Sequence, residues 1–323
     1  MQSQTHPRLK VRSILRLGCL VLCALWFFWG HTVSAVALDR DTTLALARKG
    51  WTYDHPRFQI EHSDRVRIDG RQMSGAALCL IGEQPHHLTE GVIDVFRTLM
   101  AEIFGKPLPM RFAGADASAC GSGRVVILRL YSDAPPHDEL TKDLRWLNAT
   151  YGLGLRLRNG RFARSPAFAQ TFFGTRGQGT HIMVMQPARP DVGPLEADFF
   201  SSLLVEELFH TFTFGQDIPI RRRGTDFSSK LQEFPVNVGR LPWTSRRFMR
   251  ALLKSNPRRL CAFDVFMLHG IARAPGSETA GPDFLAFLDS QFDALSDLAG
   301  ETMRDPRFGP VVDSSCARSP HAG

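Results

Sequence analysis

Leu203-Leu204-Val205-Glu206-Glu207-Leu208-Phe209-His210-Thr211-Phe212-Thr213-Phe214-Gly215-Gln216-Asp217 sets three metal-competent side chains into an otherwise apolar run. Glu206 and His210 are four apart, so on a helix they share one face, a turn from each other. Glu207 is rotated about 100° around the axis from Glu206. Upstream, Pro194-Leu195-Glu196-Ala197-Asp198 opens the helix with acids in its first turn, where the dipole favours them, and the helix is expected to reach about Thr213. Leu203, Leu204, Leu208, Phe209, Phe212 and Phe214 make it a core element whatever its polar side does.

Around this helix the periodicity alternates between strand and helix. A short helix is expected over 41–49 behind Asp39, Asp41 and Thr42, and strands over 58–62, 66–68 and 76–81. Val92, Val95, Phe96, Leu99, Met100 and Ile103 recur at three and four, which gives an amphipathic helix over 88–104, stopped at Gly105-Lys106-Pro107. Strands follow at 110–112 and 125–131, the second dense enough in β-branched residues to be central. A helix is expected over 138–148 and a strand over 181–185. The glycine-rich Phe173-Gly174-Thr175-Arg176-Gly177-Gln178-Gly179 lacks the Lys-Ser/Thr ending of a phosphate loop and reads as a loop before that strand. Helices over 244–254, 258–272 and 284–298 complete an α+β chain whose C-terminal part is helical. With no repeat and no linker, residues 38–323 read as one domain: sheet-rich over 55–190, the motif helix at 194–213, a helical part over 240–300.

The first 37 residues read differently. Arg8, Lys10, Arg12 and Arg16 precede an apolar run from Leu17 to Trp29, and Ala35-Val36-Ala37 forms a small-x-small cleavage site, the pattern of a secretory signal peptide. The apolar run is short against the ~20 residues of a spanning helix, so a membrane association is expected only if the leader is uncleaved. The leader accounts for four of the 39 basic residues and none of the 32 acidic ones, leaving 35 against 32, a net of +3. That balance gives no case for nucleic-acid binding. The expected location is periplasmic or secreted. Export leaves Cys79, Cys120, Cys261 and Cys316, an even number in an oxidising compartment. Of three pairings we expect the two local ones, Cys79–Cys120 and Cys261–Cys316; no two cysteines are close enough in sequence for a zinc knuckle.

The spacing of the central stretch is that of His-Glu-x-x-His, in which two ligands hold zinc and the intervening Glu polarises its water, with Glu206 in place of the first His. The stretch resembles the zinc peptidases called metzincins, which read His-Glu-x-x-His-x-x-Gly-x-x-His, often followed by Asp. Laid over this chain, their ligands fall on Glu206, His210 and Gln216, their general base on Glu207, their trailing acid on Asp217 and their turn glycine on Thr213. It is also similar to an exported proteobacterial family of unknown function with Glu-Glu-x-x-Gln on a helix, a later Gly and Asn-Asp, and a downstream helix with Leu-x-x-x-Asp-x-x-x-Leu. In this chain those map to Glu206, Glu207, His210 and Gln216-Asp217, then Leu260, Asp264 and Leu268. The resemblance implies a zincin-like mixed sheet with a strand just before the motif helix. It implies zinc on Glu206 and His210, with Gln216, Asp217, Asp226 or Glu233 as third ligand and Glu207 as catalytic base.

Two functions follow as expectations. One is a metal-dependent, peptidase-type hydrolase acting on a peptide or other acyl bond. The other is a non-catalytic envelope protein that uses the same scaffold to bind a peptide or protein. His86, His87, His137, His181 and His269 are expected to be surface or core residues rather than ligands.

Overall fold

The computed structural model describes residues 38–52, 67–157, 162–220, 227–314 and 316. The expected signal peptide, the strand at 58–62, Val66 and Asp226 lie outside these residues. The described residues hold a mixed five-stranded sheet and eight α-helices, an α+β arrangement. The strands are β1 (Ala77–Gly82), β2 (Met110–Phe112), β3 (Val125–Tyr131), β4 (Ala167–Gly174) and β5 (Gly177–Met185), in the order β2-β1-β3-β5-β4. All neighbours are parallel except β4, which runs antiparallel to β5 as an edge strand. Val126 to Leu128 and Ile182 to Met185 are buried, as central strands covered on both faces require.

The helices are α1 (Arg40–Trp51), α2 (His87–Phe104), α3 (His137–Tyr151), α4 (Pro194–Thr213), α5 (Arg246–Leu253), α6 (Ala262–Arg273), α7 (Pro282–Ser290) and α8 (Phe292–Arg304). The motif helix α4 follows β5 directly and packs on β4, β5, α2 and α5. Phe199, Leu204, Leu208, Phe209 and Phe212 carry it into the core. None of the described helices is long and apolar enough to cross a membrane.

Three sequence expectations change. Phe173 to Gly179 forms the β4–β5 hairpin, with only Thr175 and Arg176 at its tip between Gly174 and Gly177. β4 escapes pattern reading because its half-exposed run Phe168-Ala169-Gln170-Thr171-Phe172-Phe173 does not alternate apolar with polar. The helix expected from residue 258 starts at Ala262, because Leu260 bridges Val312 and the Asp264 carboxylate accepts the Cys261 N–H at 2.7 Å. The helix expected over 284–298 is two helices, α7 and α8, broken at Gln291 (φ −107°, ψ 13°).

The cysteines lie at disulfide distance in the expected pairs, with Cα–Cα 5.7 Å for Cys79–Cys120 and 5.5 Å for Cys261–Cys316. A second tie is polar. Buried Asp143 on α3 accepts from Arg129 of β3 (2.5 and 2.7 Å) and meets His181 of β5 at 2.9 Å, clamping helix to sheet. Burial works against the Asp143 charge, but its bonds to Arg129 and His181 hold its pKa below the usual range.

Candidate metal centre

The polar side of α4 faces a groove of ≈ 540 Å³ whose opposite wall is β4 from Ala167 to Thr171. Glu206, Glu207 and His210 line it from the helix; Gln216 and Asp217 line it from the turn that follows. That turn is held tightly. Trp51 Nε1 donates to the Thr213 carbonyl (3.0 Å), and the Gln216 N–H donates to the Gly50 carbonyl (3.0 Å). Phe214 closes the helix in the left-handed region (φ 55°), alone among the described non-glycine residues, and its N–H returns to the His210 carbonyl. Gly215 passes so close to Trp51 that a Cβ there would lie 2.7 Å from the indole and 2.5 Å from Leu231.

This turn decides the register of the third candidate ligand. Counting along the sequence places the turn residue at Thr213 and the ligand at Gln216. In the fold the left-handed residue is Phe214, one position later, and the residue three beyond it is Asp217. A ligand atom each from Glu206, His210 and Asp217 lie within 4.8 Å of one another. Gln216 is exposed and lines the same groove. Glu233 reaches the groove because β6 (Ile218–Pro219) pairs with β7 (Gln232–Glu233).

His210 is oriented for such a role. Its Nδ1 lies 2.7 Å from the Gly215 carbonyl; a carbonyl only accepts, so Nδ1 carries a proton. Nε2 then faces Asp217 at 3.1 Å. Glu206 is held from behind. Its Oε2 accepts from Lys230 Nζ (2.9 Å), and both oxygens lie 2.8 Å from Asn256 Nδ2. Lys230 is fully buried, and its ammonium also donates to Ser202 Oγ at 3.0 Å. Asp264 fixes the backbone that delivers this lysine, accepting from Ser229 Oγ (2.6 Å) and the Lys230 N–H (2.7 Å). The aspartate of the downstream helix therefore builds the centre without touching the groove.

The electrostatics follow from crowding four carboxylates around one imidazole and one ammonium. Burial, reinforced by the charges of Glu206 and Asp217, raises Glu207 to about 8, with His210 pulling the other way. Burial and the same two charges raise Glu233 to about 8. Burial disfavours a charged His210, but its bond to Asp217 and the charges of Glu207, Asp217 and Glu206 raise it to about 9. Burial raises Asp264 to about 6 against the bonds from Ser229, Cys261 and Lys230 that favour its charge.

Imidazole nitrogen and carboxylate oxygens are ligands for zinc and similar divalent ions. The excess of carboxylates, and the anchoring of His210 and Glu206 by partners behind them, fit that use. The Lys230 ammonium opposes it by neutralising part of the Glu206 charge. Lys230, Asn256 and Ser202 carry no sequence signal for this site: Lys230 sits in the polar run Ser228-Ser229-Lys230 and reaches Glu206 only through the fold. Among the described residues the other histidines stay out of the groove: His181 and His269 are buried elsewhere, His86 caps α2, and His87 and His137 open α2 and α3. The chain matches no family model, and no curated protein or solved structure matches it.

Proposed function

We propose that this chain is an exported, zincin-like, metal-dependent hydrolase of peptidase type. Glu206, His210 and Asp217 would hold the ion, and Glu207 would act as general base. The observation that carries the reading is the convergence of those three donors in the lining of a groove that an edge strand also lines. The mixed sheet, with β5 running directly into the motif helix, is the arrangement the metzincin resemblance implies. An edge strand offers unpaired backbone to an extended peptide, which can add to the sheet as a further strand. Beside Glu207 opens a second, more enclosed pocket of ≈ 240 Å³, lined by Phe199, Leu203, Trp243 and Phe248, with room for an apolar side chain.

A divalent ion bound there would supply Lewis-acid polarisation and a lowered pKa for water. The chain's own residues account for the remaining steps. β4 orients the peptide across the groove. Glu207, on the groove side of the helix, would be brought to its charged form by a cation beside it, which opposes the burial that raises its pKa to about 8. As carboxylate it would take the proton of the attacking water and return it to the departing amine. Asn256 and Lys230 keep the Glu206 carboxylate in one orientation, and Gly215 keeps the His210 Nδ1 proton in place.

Lys230 favours a second reading, a binding protein without catalysis. An ammonium already satisfies Glu206, and with Glu207 and Glu233 raised to about 8 the charges of Glu206 and Asp217 are matched by Lys230 and His210. The deciding measurement is zinc bound by the purified protein and by Glu206→Gln, His210→Ala, Asp217→Asn and Gln216→Ala. The hydrolase reading expects near-stoichiometric zinc in the parent and in Gln216→Ala, loss in the other three, and peptide hydrolysis abolished by Glu207→Gln. A parent that takes up no zinc on titration leaves the binding protein.

A further inference from the structure

At the hairpin end of β4 lies a second cleft, of ≈ 1560 Å³, and Phe173 lines both this cleft and the groove of Glu206 and Glu207. The two together form one trough whose ends are opposite in charge. The groove end carries Glu206, Glu207, Asp217 and Glu233. The cleft end carries Arg67, Arg71, Lys106, Arg124 and Arg176 against the single carboxylate of Asp69, an excess of four positive charges. Asp69 is already engaged with Arg71 at 2.8 Å.

The remaining cations are exposed, and two of them are held in place without being neutralised. Arg124 donates through Nε and Nη2 to the carbonyls of Gln72 and Ser74, and Arg176 donates to that of Ala149. A carbonyl accepts a hydrogen bond but carries no net charge, so the guanidiniums stay fixed and cationic. Such a cleft concentrates anions. Its place at the end of an edge strand says what kind. β4 spans eight residues from the groove wall to the cleft, about 25 Å at ~3.3 Å per residue. A polypeptide laid along that edge reaches from Glu207 at one end to the basic cleft at the other. Antiparallel pairing, the more stable ladder, puts the N-terminal part of that polypeptide in the cleft, because β4 itself runs towards it.

We infer that the trough binds an extended polypeptide antiparallel to β4, with an acidic stretch at its N-terminal end held by Arg67, Lys106, Arg124 and Arg176. The inference rests on the peptide-binding reading of the same groove, but it requires neither a metal nor turnover, so the test is run in chelator. The probe is a fluorescein-labelled twelve-residue peptide of Val, Thr and Ser with three glutamates at its N-terminal end. Its controls carry glutamine in place of glutamate, or the same residues in reverse order. Fluorescence anisotropy with the purified protein is expected to show the glutamate peptide binding about tenfold tighter than either control. That margin should shrink as salt rises from about 50 to 300 mM, as the screening length shortens.

Arg124→Gln/Arg176→Gln should abolish the margin. Arg67→Gln/Lys106→Gln, on exposed side chains, should do the same and serves if the first pair alters folding. Equal affinity for the glutamate and glutamine peptides, equal affinity for the reversed peptide, or an unchanged margin in a folded variant overturns the inference. A protein that binds the acidic peptide as expected but takes up no zinc would retain this inference and lose the hydrolase reading.

Discussion

Removing the charge of Lys230 or Glu206 singly should be costly, and removing both should cost far less than the sum. Nζ and Oε2 are 2.9 Å apart, Lys230 is fully buried and Glu206 nearly so. At that distance and an effective dielectric of ~20, the gross attraction is about 6 kcal/mol. Lys230→Met leaves the Glu206 carboxylate buried without a counter-charge, and Glu206→Gln leaves the Lys230 ammonium buried without one. Each should lower stability by roughly 3–5 kcal/mol. The double variant has no orphaned charge and retains only unsatisfied neutral groups, at about 1–3 kcal/mol each. The coupling energy should therefore be roughly 3 kcal/mol, and the double variant should be about as stable as either single one. Urea unfolding in chelator, followed by fluorescence with the slope held common, measures all four corners of the cycle. Additive losses would refute the pairing, and with it the account of why Glu206 tolerates burial.

Three further outcomes follow from the same geometry. Gly215→Ala should destabilise the protein by about 1–3 kcal/mol, because its methyl meets Trp51 and Leu231 at less than contact distance. It should also weaken zinc uptake by moving the turn that carries Asp217; zinc titration of the folded variant checks this. Replacing both Cys79 and Cys120 with Ala releases a loop of sequence separation 41 and should cost about 4 kcal/mol on the chain-entropy account, read as a lowered denaturation midpoint. His269, buried and near Arg273, has its pKa lowered from 6.5 to about 4, so its neutral form is the folded one. Its contribution is present above pH 6.5 and is lost as pH falls towards 4, where the unfolded chain binds the proton first. The stability of the parent relative to His269→Gln should therefore drop by roughly 3 kcal/mol between pH 7.5 and 4. A pH-independent difference would contradict this.

Much of the scaffold was legible in the chain because local patterns report local structure. The three-and-four spacing over Val92 to Ile103, the β-branched run at Val125 to Ile127, and the acids opening the motif helix all match elements of the fold. β4 was not legible. A half-exposed edge strand needs no alternation, and only its ladder with β5 defines it. The late start of α6 depends on the bridge from Leu260 to Val312, a partner distant in sequence, and the break at Gln291 on a backbone conformation (φ −107°, ψ 13°) that the apolar spacing does not announce.

The sequence by itself determined that Glu206, Glu207 and His210 belong to one helix and that two of them share a face, because the helical repeat is fixed. It also supplied an even set of four cysteines with the two local pairings as the expectation; the choice among three pairings is made by the fold, which brings Cys79 to Cys120 and Cys261 to Cys316. Tertiary structure decided the rest of the centre. The left-handed turn at Phe214 shifts the converging acid from Gln216's position to Asp217. Asp264 holds the strand-like turn that buries Lys230 against Glu206. The β4–β5 hairpin joins an acidic groove to a basic cleft through Phe173. Each of these depends on a backbone dihedral or on a contact between residues far apart in the chain, and neither is encoded in spacing alone.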